Sequence, residues 1–145
     1  MRVAAIERLV LDASVALAWC FQDETTAYTE SILDLVTGGR EAVVPSLWPY
    51  EVANVLALAE RRRRATWASI RGFLDRMYSL PVRVDEGGMT TAFEQALSIA
   101  RQRRLSAYDA AYLELAIREG LPLATLDGDL RKAANAIGVS LVGAE

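Results

Sequence analysis

Short apolar runs alternate with longer segments of helical periodicity along this chain, and the alternation constrains the fold more than any other feature. Helices between strands favour parallel pairing, because a parallel pair needs a crossover connection of about a dozen residues or more. The runs predict about five short strands, at residues 9–11, 42–44, 82–84, 121–126 and 139–142. Helical patterns occupy residues 13–19, 25–36, 46–64, 66–78, 90–103, 106–118 and 130–136. The sequence therefore predicts an α/β fold with helices on both faces of a short parallel sheet.

Length and composition favour a single domain over residues 1–145. The chain of 145 residues is too short for two ordinary domains, and its 52% hydrophobic content is enough for a packed core. The longest uncharged apolar stretch, residues 13–21, is shorter than the roughly 20 residues that cross a bilayer. Glu7 and Arg8 interrupt the apolar start, which is unlike a secretory signal. We expect no membrane span and a cytoplasmic location.

Several residue types are scarce, and this narrows the chemistry. The chain has no histidine, which excludes imidazole general bases, histidine-containing catalytic triads and imidazole zinc sites. Its single cysteine, Cys20, cannot form a thiolate metal site. The only lysine, Lys132, does not follow a phosphate-binding GxxxxGK loop, and the dinucleotide fingerprint GxGxxG is absent. Catalysis by this chain therefore depends on its 19 carboxylates.

Three aspartates lie at element boundaries. Asp12 and Asp127 each follow an apolar run that is predicted as a strand, so in a parallel sheet they emerge at the same edge. Taken alone, each is explained as a helix cap or a turn residue, which is the commoner role of an aspartate after a strand. Asp109 lies three residues after Ser106, a spacing typical of a capping box, and begins a helix that is apolar nearly all round. The capping role and a metal-binding role are compatible.

Glu51 lies on an apolar helical stripe with Leu47, Val55 and Leu58. A carboxylate in such a position is costly unless a cation or a metal ion neutralises it. One interpretation is a buried ion pair with an arginine, and the other is a metal site. Ser14 and Thr125 place hydroxyl groups next to the aspartates at the sheet edge.

Four or five carboxylates at one edge, without lysine or histidine partners, destabilise a fold unless cations lie among them. Hard divalent ions suit such a site, because Mg²⁺ and Mn²⁺ prefer oxygen ligands and retain several waters. Such an ion can activate a water molecule to attack a phosphodiester. The fifth carboxylate is Asp129, which is alternatively a cap of the helix after it.

Four short segments together resemble one known family. They are LVLDAS at residues 9–14, PSLWPYEVAN at 45–54, LSAYDAA at 105–111, and LATLD at 123–127 with Leu130 and Ala133 following. Each segment alone is weakly specific, but their order and spacing over nearly the whole chain are a strong match. The sequence thus resembles the PIN-domain ribonucleases and, within them, the VapC-type toxins of toxin–antitoxin pairs.

The resemblance implies a PIN-like three-layer α/β sandwich and a Mg²⁺-dependent endoribonuclease, with Mn²⁺ as an alternative ion, that hydrolyses RNA by metal-activated water. It also implies a homodimer and a small antitoxin that blocks the site. By position, Asp12 and Asp109 would be the main metal ligands, and Glu51 and Asp127 would complete the cluster directly or through water. Supporting positions are Ser14, Asn54 and Thr125, while Asp129 is an addition to the family's minimal pattern.

The net charge of −3 gives no overall attraction to RNA, so local arginine clusters would have to bind it. Two clusters are candidates, Arg61 to Arg64 and the group of Arg101, Arg103 and Arg104. Both lie at the ends of predicted helices, where cations also interact favourably with the helix dipole. The sequence leaves both interpretations open.

Two other functions remain possible from the sequence. A haloacid-dehalogenase-like phosphotransferase would also place Asp12 after the first strand, but its second aspartate is Ser14 here and its lysine would have to be Lys132. The other alternative is a non-catalytic PIN-fold interaction module. A dimer or antitoxin surface would then be formed by Trp48, Tyr50 and the apolar faces of the helices at 46–64 and 66–78, although these residues are equally explained as part of the core.

Overall fold

A computed structural model describes residues 1–143 and contains a four-stranded parallel sheet in the order β3-β2-β1-β4. The strands are β1 (Arg8–Leu11), β2 (Glu41–Val44), β3 (Val82–Val84) and β4 (Leu123–Ala124). Within the central strand, Val10 pairs with Val43 on one side and Leu123 on the other. The predicted α/β architecture is confirmed.

The last two predicted strands are shorter than expected. β4 covers only two residues of the range 121–126, because Pro122 lacks a backbone donor and Thr125 begins the turn into the next helix. The predicted strand at 139–142 is reduced to a single parallel bridge between Leu123 and Leu141. Its backbone still bonds the sheet edge, since Leu123 N–H donates to Ser140 O and Val142 N–H to Leu123 O, each at 2.9 Å.

Seven α-helices occur within residues 1–143, at the predicted places: α1 (Ala13–Ala18), α2 (Ala27–Thr37), α3 (Trp48–Arg61), α4 (Trp67–Tyr78), α5 (Leu97–Arg103), α6 (Ala107–Glu119) and α7 (Gly128–Ile137). A π-helical turn, Thr91–Ala96, leads directly into α5, and short 3₁₀ turns lie at Val3–Ala5 and Gln22–Glu24. Thr66 caps α4, because its side chain accepts a hydrogen bond from the N–H of Ser69. Leu47, rather than the polar residue Ser46, occupies the N-cap of α3, and Pro49 in the first turn needs no capping partner because it has no N–H.

The central strand and α6 form the middle of the core. Leu9, Val10 and Leu11 are fully buried, as a strand covered by helices on both faces must be. Tyr112 and Leu113 of α6 are equally buried. The carboxyl ends of β1 and β4 lie side by side at one edge, next to the first turns of α1 and α6. None of the helices within residues 1–143 has the length and apolar character needed to span a membrane.

Arg118 is the cation that makes Glu114 tolerable inside the fold. Glu114 is 6% exposed, and its Oε1 accepts a 2.6 Å hydrogen bond from Arg118 Nε. Arg118 also bonds Asp85 at 2.7 Å, and this guanidinium holds the pKa of Asp85 below its ordinary value. That stabilisation is therefore present above about pH 4 and is lost as the pH falls through the lowered pKa.

Arg118→Met should lower the free energy of unfolding by about 2 kcal/mol, because it leaves a buried carboxylate unpaired. This loss of stability is smaller than for a fully buried ion pair, because the Arg118 side chain is 42% exposed and solvent screens its charge. Urea unfolding at pH 7 measures the change. The double variant Arg118→Met/Glu114→Leu should recover most of the loss, and a double variant as unstable as the single one would contradict the explanation.

Candidate active site

A cleft of about 570 Å³ opens where β1 and β4 end beside the first turns of α1, α3 and α6. Its polar lining includes all four carboxylates that the sequence analysis placed at this edge. The lining polar residues are Asp12, Ser14, Glu24, Glu51, Asn54, Arg64, Asp109 and Asp127. Residues that are up to 115 positions apart in the chain thus share one concave surface, which is the form that small-molecule and metal sites take.

Asp12 is held by two hydroxyl groups. Its side chain is nearly buried, and its Oδ2 accepts hydrogen bonds from Ser14 Oγ at 2.6 Å and from Thr125 Oγ1 at 2.7 Å. Although Asp12 occupies the N-cap position of α1, its side chain makes no capping hydrogen bond. The interpretation of Asp12 as a simple helix cap is therefore wrong.

Ser14 and Thr125 are themselves oriented by the backbone. Ser14 Oγ accepts from the N–H of Leu126, and Thr125 Oγ1 accepts from the N–H of Asp127, both at 3.1 Å. Each hydroxyl proton is then directed to the same oxygen of Asp12. Within residues 1–143 no protein hydrogen bond reaches Oδ1 of Asp12, so this oxygen is available to a ligand.

Glu51 lies in the first turn of α3 and is bound by a tyrosine. Its Oε1 accepts a short hydrogen bond from the hydroxyl of Tyr112, which in turn accepts from the N–H of Ala13 at 3.3 Å. Burial raises the pKa of Glu51, and the neighbouring charges of Asp12 and Asp109 raise it further against the opposing hydrogen bond. Across the described part of the chain no arginine or lysine forms an ion pair with Glu51. The predicted alternative of a buried ion pair is wrong.

Asp109 faces the other acidic residues from the first turn of α6. Its backbone N–H donates to Ser106 Oγ at 3.1 Å, which confirms Ser106 as the helix cap. Burial is the main reason that the pKa of Asp109 is raised, and the charges of Asp127, Asp12 and Asp129 add to the effect. The folded chain thus maintains a carboxylate under electrostatic repulsion at this position.

Asp127 and Asp129 differ in their placement. Asp127 caps α7, because its Oδ1 accepts from the N–H of Leu130 at 2.9 Å, so the capping interpretation is confirmed while a role in metal binding stays a prediction. Asp129 is exposed in the first turn of α7 and is not part of the cleft lining, although its charge reaches Asp109. Asn54 lines the cleft one helical turn after Glu51.

The donor set suits a hydrated hard cation. All the acidic ligands are oxygens, and a positive charge would relieve the repulsion around Asp109. No three acidic side chains in residues 1–143 lie close enough to enclose an ion by themselves. The residues present therefore fit an ion such as Mg²⁺, which keeps several waters and takes only one or two carboxylates directly.

The two arginine clusters differ in their ion pairing. Arg64 lines the cleft, but its Nη2 contacts carboxylates of Asp23 at 3.2 Å and Glu24 at 3.1 Å, and its guanidinium stacks over Phe21 at 4.0 Å. The other cluster ends α5, just before Ser106 begins the helix that carries Asp109. Its exposed members, which have no ion-pair partner within the described range, are Arg101, Arg103 and Arg104.

The phosphotransferase alternative has less geometric support. Lys132 is exposed on α7 and does not line the cleft that contains Asp12. Ser14, which replaces the second aspartate of that motif, instead binds the Asp12 carboxylate.

Tyr112 is the site residue that sequence reasoning missed. Its one available signal is its position one helical turn after Asp109, on the same face of α6.

Comparisons with known proteins agree with this fold. The family model described as PIN domain matches residues 9–136. PAE2754 from Pyrobaculum aerophilum is 25% identical with a TM-score of 0.68 over 90% of this chain and 87% of that one. VapBC2 from Rickettsia felis, in a structure bound to a DNA fragment from the VapBC2 promoter, is 13% identical with a TM-score of 0.63. FitAcB from Neisseria gonorrhoeae is 17% identical with a TM-score of 0.55. Both alignments cover 93% of this chain and 96% of the other. No curated protein matches the sequence significantly.

Proposed function

Because the chain belongs to the PIN domain family, we propose that it is a divalent-metal-dependent endoribonuclease and the toxin of a toxin–antitoxin pair. The observation that carries the proposal is the cleft in which Asp12, Glu51 and Asp109 converge under mutual repulsion without a lysine or histidine. The likeness in fold to VapBC2 and FitAcB supports the toxin assignment. The carboxylate set argues against a module that only binds.

In this proposal Asp12 and Asp109 hold the ion, and Glu51 and Asp127 complete its surroundings directly or through water. Ser14 and Thr125 fix the Asp12 carboxylate through Oδ2 and leave Oδ1 to the ligand. An ion such as Mg²⁺ or Mn²⁺ held by these residues would activate water for attack and would stabilise negative charge on the phosphoryl oxygens. In-line attack of water at phosphorus breaks the bond to the 3′ oxygen and leaves 5′-phosphate and 3′-hydroxyl ends.

The test is cleavage of an RNA panel by the purified chain, freed of bound antitoxin, with Mg²⁺, with Mn²⁺ and with a chelator. We expect cuts that require the ion and carry 5′-phosphate ends. Equal cutting in the chelator would contradict the metal-dependent mechanism. Phosphate release from a small phosphomonoester, without RNA cleavage, would instead support the phosphotransferase alternative, and RNA binding without cleavage would support an interaction module.

We expect the cluster of Arg101, Arg103 and Arg104 to bind the RNA backbone beside the cleft. Replacing all three with Gln should reduce the slope of log Kd against log salt by about 2, because each phosphate contact on single-stranded RNA contributes about 0.7. Fluorescence anisotropy in chelator, which prevents cleavage, measures Kd at several salt concentrations. The control, Arg71→Gln/Arg76→Gln on α4, should retain the wild-type slope. An unchanged slope in the triple variant would favour the helix-dipole interpretation.

Two exposed apolar surfaces are available for protein partners. A groove of about 640 Å³ lies between α3, α4 and β3, and the exposed apolar residues of its lining include Trp67, Tyr78 and Val84. A separate patch around α5 exposes Met89, Phe93, Leu97 and Tyr108. We assign the groove to an amphipathic helix of the antitoxin, since a concave apolar groove suits that mode of binding, and the patch around α5 to a second copy of this chain.

Opposite effects of two substitutions test these assignments. Trp67, 59% exposed, lies in the groove, and Phe93, 64% exposed, lies in the patch. Trp67→Glu should prevent co-purification with the antitoxin and leave the dimer intact, because a charge in an apolar interface is costly. Phe93→Glu should give a monomer by light scattering and retain the antitoxin. A Phe93→Glu variant that stays dimeric would contradict the second assignment, and a Trp67→Glu variant that keeps its partner would contradict the first.

A further inference from the structure

We propose that Tyr112 is a positioning residue whose hydroxyl holds Glu51 in place within the acidic cleft. The inference rests on the proposed function, because it concerns how this chain prepares the site for a divalent ion. Tyr112 is fully buried in α6 and does not itself line the cleft. It would act on the ion and the RNA only through the carboxylate that it binds.

One phenolic oxygen connects the three helices that carry the main acidic residues. The hydroxyl lies on α6, one turn after Asp109, and donates to Glu51 Oε1 on α3. It accepts from the N–H of Ala13, the first residue of α1, which follows Asp12 directly. A shift of any of these helices would therefore disturb this junction.

The hydrogen-bond geometry also fixes the direction of the proton. A tyrosine hydroxyl has one proton and can accept as well as donate. The Ala13 N–H can only donate, so it occupies an acceptor site of the hydroxyl and leaves the proton for Glu51. Without this donor, the Glu51 carboxylate would lose the hydrogen bond from Tyr112 while remaining half-buried beside Asp12 and Asp109.

A purely structural role for Tyr112 gives a different expectation. The ring fills the core next to Leu113 and the sheet, and phenylalanine would fill almost the same space. Tyr112→Phe therefore removes the hydroxyl and keeps the packing. If the hydroxyl matters only for stability, its loss would lower the unfolding midpoint but would not depend on whether Glu51 is present.

The test measures Mn²⁺ binding by calorimetry without RNA, the unfolding midpoint, and kcat and KM for RNA cleavage. The set comprises wild type, Tyr112→Phe, Glu51→Gln, the double variant, and, as a control, Tyr78→Phe, which removes an exposed tyrosine hydroxyl at the end of α4, outside the cleft. We expect Tyr112→Phe to weaken Mn²⁺ binding about tenfold or more, as loss of a residue that orients a ligand typically does. It should lower kcat with KM nearly unchanged, and the double variant should bind Mn²⁺ no more weakly than Glu51→Gln.

Wild-type Mn²⁺ affinity in Tyr112→Phe would overturn the inference and leave the proposed function standing. The same conclusion would follow if Tyr112→Phe weakened Mn²⁺ binding by the same factor in the Glu51→Gln background as in the wild type. Failure of the wild-type protein to bind Mn²⁺ would overturn both. If Tyr112→Phe does not fold, Glu51→Asp provides a second test, because the side chain shortened by one methylene moves the carboxylate away from the Tyr112 hydroxyl. Wild-type Mn²⁺ affinity in that variant would equally overturn the inference.

Discussion

Replacing Asp109 with asparagine should reduce RNA cleavage by about a thousandfold and, at the same time, make the metal-free protein more stable. The loss of activity follows from removal of a main ligand of the ion, whose stabilisation of the transition state amounts to several kcal/mol. The gain follows because burial and three neighbouring carboxylates raise the pKa of Asp109. A charged group in that position opposes folding, whereas neutral asparagine does not.

The backbone around Asp109 should not be affected by this substitution. Its N–H, rather than its side chain, binds the cap Ser106, and asparagine keeps that bond. Thermal unfolding in chelator should show a midpoint about 1–3 °C above wild type. The control Asp34→Asn, at an exposed carboxylate on α2, should change neither activity nor midpoint. Full cleavage by Asp109→Asn would refute the site, and an unchanged midpoint would refute the repulsion.

Asp12→Asn should abolish cleavage without the gain in stability. The Asp12 carboxylate is stabilised in the apo fold, since its Oδ2 accepts hydrogen bonds from Ser14 and Thr125. An amide at that position cannot reproduce a charge-assisted pair of bonds as well as a carboxylate does. The two aspartates therefore differ in their effect on stability. The fold stabilises the charged Asp12 side chain through hydrogen bonds, whereas the charged Asp109 side chain lowers the stability of the metal-free protein.

Local signals made much of this structure predictable. Apolar runs indicated where the strands lie, and the spacing of polar residues identified Ser106 and Asp127 as helix caps. The parallel arrangement then placed Asp12 and Asp127 at the same sheet edge, as the structure shows. These features depend on periodicity and on hydrogen bonds within a few residues, which a single sequence records directly.

The features that sequence reasoning missed depend on contacts between distant segments. The hydroxyl of Tyr112 meets Glu51, which lies 61 positions earlier, and an aromatic residue on a buried helix gives no sign of that partner. Arg64 similarly forms ion pairs with Asp23 and Glu24, which lie in a 3₁₀ turn that has no periodic sequence pattern. The helical pattern at 90–103 also gave no indication of the π-helical turn Thr91–Ala96, because a single i→i+5 turn next to a short α-helix changes the apolar spacing too little to be recognised in one sequence.

Saturating Mg²⁺ or Mn²⁺ should raise the unfolding midpoint of the wild-type chain by about 5–10 °C. An ion that binds the folded state alone stabilises it by about 2.7 kcal/mol at a concentration of one hundred times Kd. For a domain of this size, each kcal/mol moves the midpoint by about 2–4 °C. The effect is expected to be large because the ion both gains ligands and relieves the repulsion that raises the pKa values of Glu51 and Asp109.

Differential scanning fluorimetry with increasing divalent ion measures this shift, with NaCl at matched ionic strength to account for screening. Asp34→Asn should retain the full shift. Asp12→Asn should reduce it to below about 2 °C, because the variant lacks the carboxylate that the fold holds ready for the ion. A shift of wild-type size in Asp12→Asn, or an equal shift with NaCl alone, would show that the ion binds elsewhere or acts by screening. The acidic cleft would then lose its assignment as the metal centre, whereas the fold and the family would stand.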